Sequence, residues 1–274
     1  MDKIKFGLYE KAMPNGFTLK RKLDTAAEAG FDQLELSVDE TDEKLARLGW
    51  GLSERKNFVA AQADSHMPVR TMCLSAQRKY PLGSHDKETR KRSTSILSGA
   101  VDLAYDTGIR IIQLAGYDVY YEQGDEDTRA YFEENLERCV RYAASSGVIL
   151  AFETMETDFM NTTEKAMRYV ERINSPYLQI YPDIGNVTNG AEDPAADLAA
   201  GKGRLAAAHL KETLPGVFRD LRYGEGRVDF PALVPLLYRL GVRIFTCEFW
   251  YREGTDCRSE LEYALGYMKN VLKG

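Results

Sequence analysis

Short apolar runs recur along the chain, each followed by a longer stretch whose apolar residues return every three or four positions. The runs are 4–9, 33–38, 69–74, 110–115, 148–153, 178–183, 205–211 and 243–249. Runs of this length, rich in aliphatic residues and bounded by turn signals, predict strands buried on both faces. The intervening periodicity predicts helices over 18–29, 54–65, 87–106, 126–146, 163–173, 194–200, 231–241 and 259–272. Gly30, Gly108, Gly147 and Gly241 stand where helices should stop, and Asp229 precedes Pro231 as a favoured start. Strict alternation implies parallel strands with right-handed crossovers. Eight units in 274 residues favour a closed α/β barrel, the (β/α)8 or TIM barrel, which needs roughly 250 residues. No Pro-, Ser- or Gly-rich linker divides the chain, so a single domain over 1–274 is expected. No GxGxxG follows the first run, which counts against an open dinucleotide-binding sheet.

Composition narrows the function classes. A hydrophobic fraction of 44% is that of an ordinary soluble globular protein. The net charge of −6 argues against a nucleic-acid partner held by phosphate neutralisation, and leaves a small anionic substrate open. No run approaches the ~20 apolar residues of a membrane span, and MDKIKFGLYE has no secretory apolar core. The expectation is a cytoplasmic protein with no membrane partner. Cys73, Cys139, Cys247 and Cys257 form no CxxC pair and read as free thiols.

Four of the runs carry a metal-ligand type at their end. VILAFE stops at Glu153, LQIYPD at Asp183 and VRIFTCE at Glu248, and LAAAHLK carries His209. Taken singly, each carboxylate is more simply a helix cap or ion-pair partner, and the imidazole is as readily a packed core group as a ligand. Together they fall on strands five to eight, neighbours around half of a barrel mouth, where barrel active sites lie. Three oxygen ligands and one nitrogen suit Zn, Mn, Co or Mg better than a soft metal. Such an ion can bind adjacent carbonyl and hydroxyl oxygens of a sugar and favour an enediolate. Glu153 and Glu248, on opposite sides of one carbon, could then remove a proton from one face and return it to the other.

GLYEKAMP, LSVDETD, MCLSAQRKYPLGS, IQLAGYDVYY, YPDIGNV and HLKETLPGVFRDLRYGEGRVDF together resemble the L-ribulose-5-phosphate 3-epimerase (L-xylulose-5-phosphate 3-epimerase) family. It belongs to the xylose-isomerase-like barrels that include the D-tagatose 3-epimerases, and the resemblance runs from residue 5 to about 250. It implies a barrel with one divalent metal on Glu153, Asp183, His209 and Glu248. The two glutamates would interconvert L-ribulose 5-phosphate and L-xylulose 5-phosphate, in bacterial L-ascorbate and related pentose breakdown. The strand-five motif AFETMET departs from the pattern just after its glutamate, which leaves the neighbouring contacts open.

A ketopentose phosphate needs phosphate donors. Arg78 and Lys79 follow the third strand; Lys211, Arg219, Arg222 and the glycines of YGEGR follow the seventh. Arg78 and Lys211 are favoured. Tyr9, Tyr117, Tyr120 and Tyr121 are candidates for a wall that excludes water, with Tyr117 assigned to substrate binding. Glu10 and Ser37, at strand ends, are candidates for sugar hydroxyls. Alternative readings are an aldose–ketose isomerase of the hexulose-6-phosphate type, a 3-epimerase of unphosphorylated ketoses, and a non-catalytic sugar-binding protein. A multi-metal endonuclease IV-type site needs more histidine than His66, His85 and His209 provide. Exterior helices could pair two barrels into a homodimer.

Overall fold

Each expected strand forms, and each pairs in parallel with at least one neighbour in the computed structural model, which describes residues 4–273. Residues 1–3 and 274 of the expected domain lie outside the described residues. The first half of the chain runs β1 (Lys5–Tyr9), α1 (Leu19–Glu28), β2 (Gln33–Ser37), α2 (Asp42–Leu45), α3 (Leu52–Asp64), β3 (Val69–Leu74), α4 (Lys87–Thr107), β4 (Ile111–Ala115) and α5 (Glu126–Ser145). The second half runs β5 (Ile149–Glu153), α6 (Thr163–Ile173), β6 (Leu178–Tyr181), α7 (Ile184–Gly190), α8 (Pro194–Ala200), β7 (Ala208–Leu210), α9 (Phe230–Arg239), β8 (Ile244–Cys247) and α10 (Cys257–Val271).

The strand order is β6-β5-β4-β3-β2-β1-β8-β7. The remaining seam, between β6 and β7, is crossed by the bridges Ile180↔Leu205 and Asp183↔His209. The result is a nearly closed, single-domain (β/α)8 TIM barrel.

Strand side chains alternate between two environments. Phe6, Leu8, Leu34, Leu36, Met72, Ile112, Leu150, Phe152, Ile180, Leu210 and Phe245 face outward into one large core with the helices. The inward set is different. At its base Ile111, Ala151, Tyr181 and Ala207 form a separate apolar cluster. Above it sit the buried polar residues Glu35, Thr71, Gln113 and Thr246. Gly7 belongs to this crowded interior: a Cβ there would lie 2.9 Å from the Thr246 hydroxyl. The barrel is therefore plugged at one end and polar towards the other.

Two differences from the sequence expectation matter for the site. The sixth strand stops at Tyr181, because Pro182 has no N–H to continue the ladder. Asp183 instead caps α7, a helix the apolar pattern does not predict. The seventh strand shrinks to Ala208–Leu210. Among the described residues no helix is long and apolar enough to cross a membrane.

Candidate active site at the barrel mouth

Strands β5 to β8 deliver four ligand types to one point. Glu153 ends β5, His209 lies within β7, Glu248 follows β8, and Asp183 stands just beyond β6. One ligand atom from each falls within 4.8 Å of the others, and all four residues are buried. His209 Nδ1 is 2.8 Å from Glu153 Oε1 and 3.3 Å from Glu248 Oε2. Asp183 Oδ1 accepts the α7 amides of Gly185 (2.8 Å) and Asn186 (3.1 Å), which fixes the carboxylate. Its Oδ2 is ion-paired with the Lys211 ammonium, which also lies 3.6 Å from Glu248 Oε2. Gln113 donates to the Oε2 of Glu153.

The charges are unbalanced. Burial pushes the Asp183 carboxyl up to about 7 against the pull of Lys211, with Glu248 and Glu153 adding repulsion. Burial and the Glu248 charge also raise Glu153. For Glu248 burial acts upward, but Lys211 and His209 outweigh it and hold the group low. Burial opposes a charged His209, yet Glu35, Glu248 and Glu153 outweigh it and raise the imidazole well above its usual range.

The donor set fits a hard or borderline divalent cation. Three buried carboxylates, Glu153, Asp183 and Glu248, crowd around one ammonium, Lys211, and one imidazole, His209. Buried carboxylates packed this closely repel one another unless further positive charge faces them. Three carboxylates and one imidazole supply the oxygen and nitrogen ligands that Zn, Mn, Co or Mg take.

A cavity opens beside the quartet, lined by Tyr9, Lys11, Cys73, Ser75, Arg78, Met155, Glu156, Phe218, Arg219 and Trp250 as well as Glu153, Lys211 and Glu248. Arg78 stacks over Tyr120, with 4.9 Å to the ring centroid, and reaches the Tyr117 hydroxyl at 3.5 Å. Tyr117 in turn donates to Glu156 at 2.7 Å. Arg78 Nε has no hydrogen-bond partner among the described residues, so the guanidinium keeps donor capacity. The Arg219 guanidinium lies 4.7 Å from the Trp250 ring centroid.

Several expected substrate contacts lie elsewhere. Glu10 is fully buried behind the site, where Arg47 (2.5 Å), Lys44 (2.6 Å) and Lys22 (3.4 Å) surround it. Burial acts upward on this carboxyl, but the cations outweigh it and bring it down to about 2. Its oxygens are committed to these partners and to the Ser37 amide at 2.9 Å, leaving none for a sugar hydroxyl. The Ser37 hydroxyl is buried against that of Tyr9 at 3.3 Å and does not line the cavity. The YGEGR glycines serve Glu212, which accepts the Gly224 amide at 2.7 Å and would meet a Cβ on Gly226. Arg222 turns to Glu260 at 3.1 Å. Lys211 lies within the quartet and not at a separate phosphate position. Tyr117, Tyr120 and Tyr121 pack edge to face in series, with centroids 4.7 and 4.8 Å apart, but Tyr121 is exposed and bonds Glu40, and of the four tyrosines Tyr9 alone lines the cavity.

Four side chains beneath the quartet escaped the sequence reading: Glu35, Gln113, Tyr181 and Thr246. The signal for Glu35 was the alternation in QLELS, where Gln33, Glu35 and Ser37 share one face.

A parallel barrel with a buried carboxylate–imidazole quartet at its strand tips defines a class, the xylose isomerase-like TIM barrels, and the family of that description matches residues 23–271. L-ribulose-5-phosphate 3-epimerase UlaE of Salmonella heidelberg is 42% identical over 267 residues, covering 97% of this chain and 94% of that protein. Putative L-ribulose-5-phosphate 3-epimerase SgbU of Escherichia coli is 46% identical over 257 residues, covering 91% and 90%. The chain belongs to the L-ribulose-5-phosphate 3-epimerase family, and is an isomerase by class. Among solved structures, an L-ribulose 3-epimerase superposes with a TM-score of 0.81 at 18% identity, covering 98% of this chain and 95% of that one. D-allulose 3-epimerase from Methylomonas sp., in complex with D-allulose, also gives 0.81 at 18% identity, covering 98% and 97%. At such identities these two attest the fold.

Proposed function

We propose that the protein is a metal-dependent 3-epimerase interconverting L-ribulose 5-phosphate and L-xylulose 5-phosphate. The observation that carries this reading is the pair Glu153 and Glu248, both buried and both within reach of His209 Nδ1 at a cavity mouth. The substrate comes from relatives at 42% and 46% identity over most of the chain.

Glu153, Asp183, His209 and Glu248 would hold the ion. When bound, it supplies Lewis acidity to the C2 carbonyl and C3 hydroxyl oxygens of the ketose. One glutamate takes the C3 proton, and the electron pair of that C–H bond moves into the C2–C3 bond as the carbonyl becomes an enolate oxygen. The other glutamate delivers a proton to the opposite face of C3, which restores the ketone with inverted configuration. The Lys211 ammonium, beside Asp183 and Glu248, steadies negative charge at this end. Tyr9, Met155, Phe218 and Trp250 exclude water from it. Arg78, with Nε unpartnered, and Arg219 are the phosphate donors this geometry favours, and Tyr117 orients Arg78.

The test is product identity. Metal-loaded protein given L-ribulose 5-phosphate should yield L-xylulose 5-phosphate by 13C NMR, and much less in the presence of a chelator. An aldopentose phosphate as product would replace the epimerase with an aldose–ketose isomerase. Equal turnover of unphosphorylated L-ribulose would remove the role given to Arg78 and Arg219.

A further inference from the structure

Below the quartet, three strands contribute to one hydrogen-bonded chain that the proton transfers do not use. Glu35, at the centre of β2, is fully buried. Its Oε1 lies 2.6 Å from His209 Nε2, and its Oε2 accepts the Tyr181 hydroxyl at 2.9 Å. The Tyr181 and Thr246 hydroxyls are 2.7 Å apart. Since the tyrosine proton is given to Glu35, Thr246 donates to Tyr181. The Tyr181 and His209 rings also pack, with centroids 4.7 Å apart. None of Glu35, Tyr181 and Thr246 lines the cavity.

A fully buried carboxylate is expensive unless it is fully partnered. Glu35 already accepts from Tyr181 through Oε2, and a proton on His209 Nε2 lets its Oε1 accept as well, so that both oxygens are partnered. In the neutral ring that an ion requires, this leaves Nδ1 as the nitrogen with a lone pair to give, and Nδ1 is the atom that faces Glu153 and Glu248. We infer that Glu35 is a positioning residue of the metal centre: it holds His209 as the Nε2–H tautomer, with Nδ1 aimed at the ion position. Tyr181 and Thr246 hold Glu35 in turn. The inference rests on the metal-site reading above, and it assigns the work of orienting the one nitrogen ligand to a residue on the opposite side of the barrel.

Two measurements test it, neither of which depends on turnover. Zn²⁺ and Mn²⁺ dissociation constants are determined by calorimetry for the wild type, Glu35→Gln and Glu35→Leu, with the thermal stability of each metal-free form measured beside them. Glu35→Leu should weaken metal binding about 10- to 100-fold, the usual cost of losing such a partner. Glu35→Gln keeps an acceptor oxygen and should recover most of the loss. In addition, 15N-histidine-labelled protein loaded with Zn²⁺ gives a tractable spectrum, because the chain has three histidines. His209 should show a protected Nε2–H and a metal-shifted Nδ1. Equal metal affinity in Glu35→Leu and wild type overturns the inference. So does an Nδ1–H tautomer in the wild type, which decides the matter even if Glu35→Leu does not fold. A wild type that takes up no metal sinks the metal-site reading itself, and the inference with it.

Discussion

Glu10 and Glu153 are both buried glutamates at the mouth ends of barrel strands, and their surroundings give them opposite roles. Glu10 meets three cations and is held down to about 2, while Glu153 faces a second carboxylate and is raised. Glu10 therefore belongs to stability. A folded-state value below the ordinary 4.5 means the contribution is present above that value and is lost as pH falls towards about 2. The shift corresponds to about 3 kcal/mol. Urea melts of Glu10→Gln should show a deficit of that order at pH 7 that narrows as pH approaches 2; a gap independent of pH would contradict the assignment. Glu153→Gln and Glu248→Gln should each lower kcat by about 10²- to 10⁴-fold, the range for a lost acid–base group, while the metal-free fold melts near the wild-type temperature. The quartet was legible in the sequence because each member interrupts an apolar run. Glu10 interrupts one too, but its cations come from segments far along the chain, so its role was settled only by packing.

At the scale of elements, the helix caps and stops were readable and most helices fall within a few residues of expectation. The exceptions are the four-residue α2 and, at the site, α7. YPDIGN reads as the tip of a strand, yet seven residues after Asp183 coil into a helix because Asp183 caps it and Gly185 lets it pack closely. A Cβ on Gly185 would lie 2.6 Å from the Lys211 carbonyl oxygen. Gly185→Ala should therefore push α7 away from β7, costing about 1–3 kcal/mol as overpacking does. Because Asp183 is tied to the Gly185 amide, metal affinity should fall in parallel. Calorimetric titration together with urea melts checks both; a stability loss with unchanged metal affinity would show that the cap does not aim Asp183. The second illegible element was the inward face of β2. The apolar-run criterion merges the two faces of a strand, whereas period-two reading of QLELS separates Leu34 and Leu36 from Glu35.

For the whole molecule, the strand count and alternation were sufficient to expect a closed ring, but not where the ring is weakest. The β6–β7 seam is held by isolated bridges, and Asp183 and His209 stand on its two sides. An ion on the quartet would tie β5, β6, β7 and β8 together across that seam. Metal at 100 times its Kd should stabilise the protein by about 2.7 kcal/mol, and amide exchange should slow most in β6 and β7. Uniform slowing around the barrel would argue against the seam as the site of the effect. The most direct test of the epimerase reading follows the C3 proton. Metal-loaded protein is incubated with L-xylulose 5-phosphate in deuterated water, and deuterium at C3 is read by NMR. Deuterium is expected at C3 in both epimers, dependent on metal and lost in Glu153→Gln and Glu248→Gln. Epimerisation without C3 deuterium, or no exchange at C3 in the loaded protein, would contradict the epimerase reading.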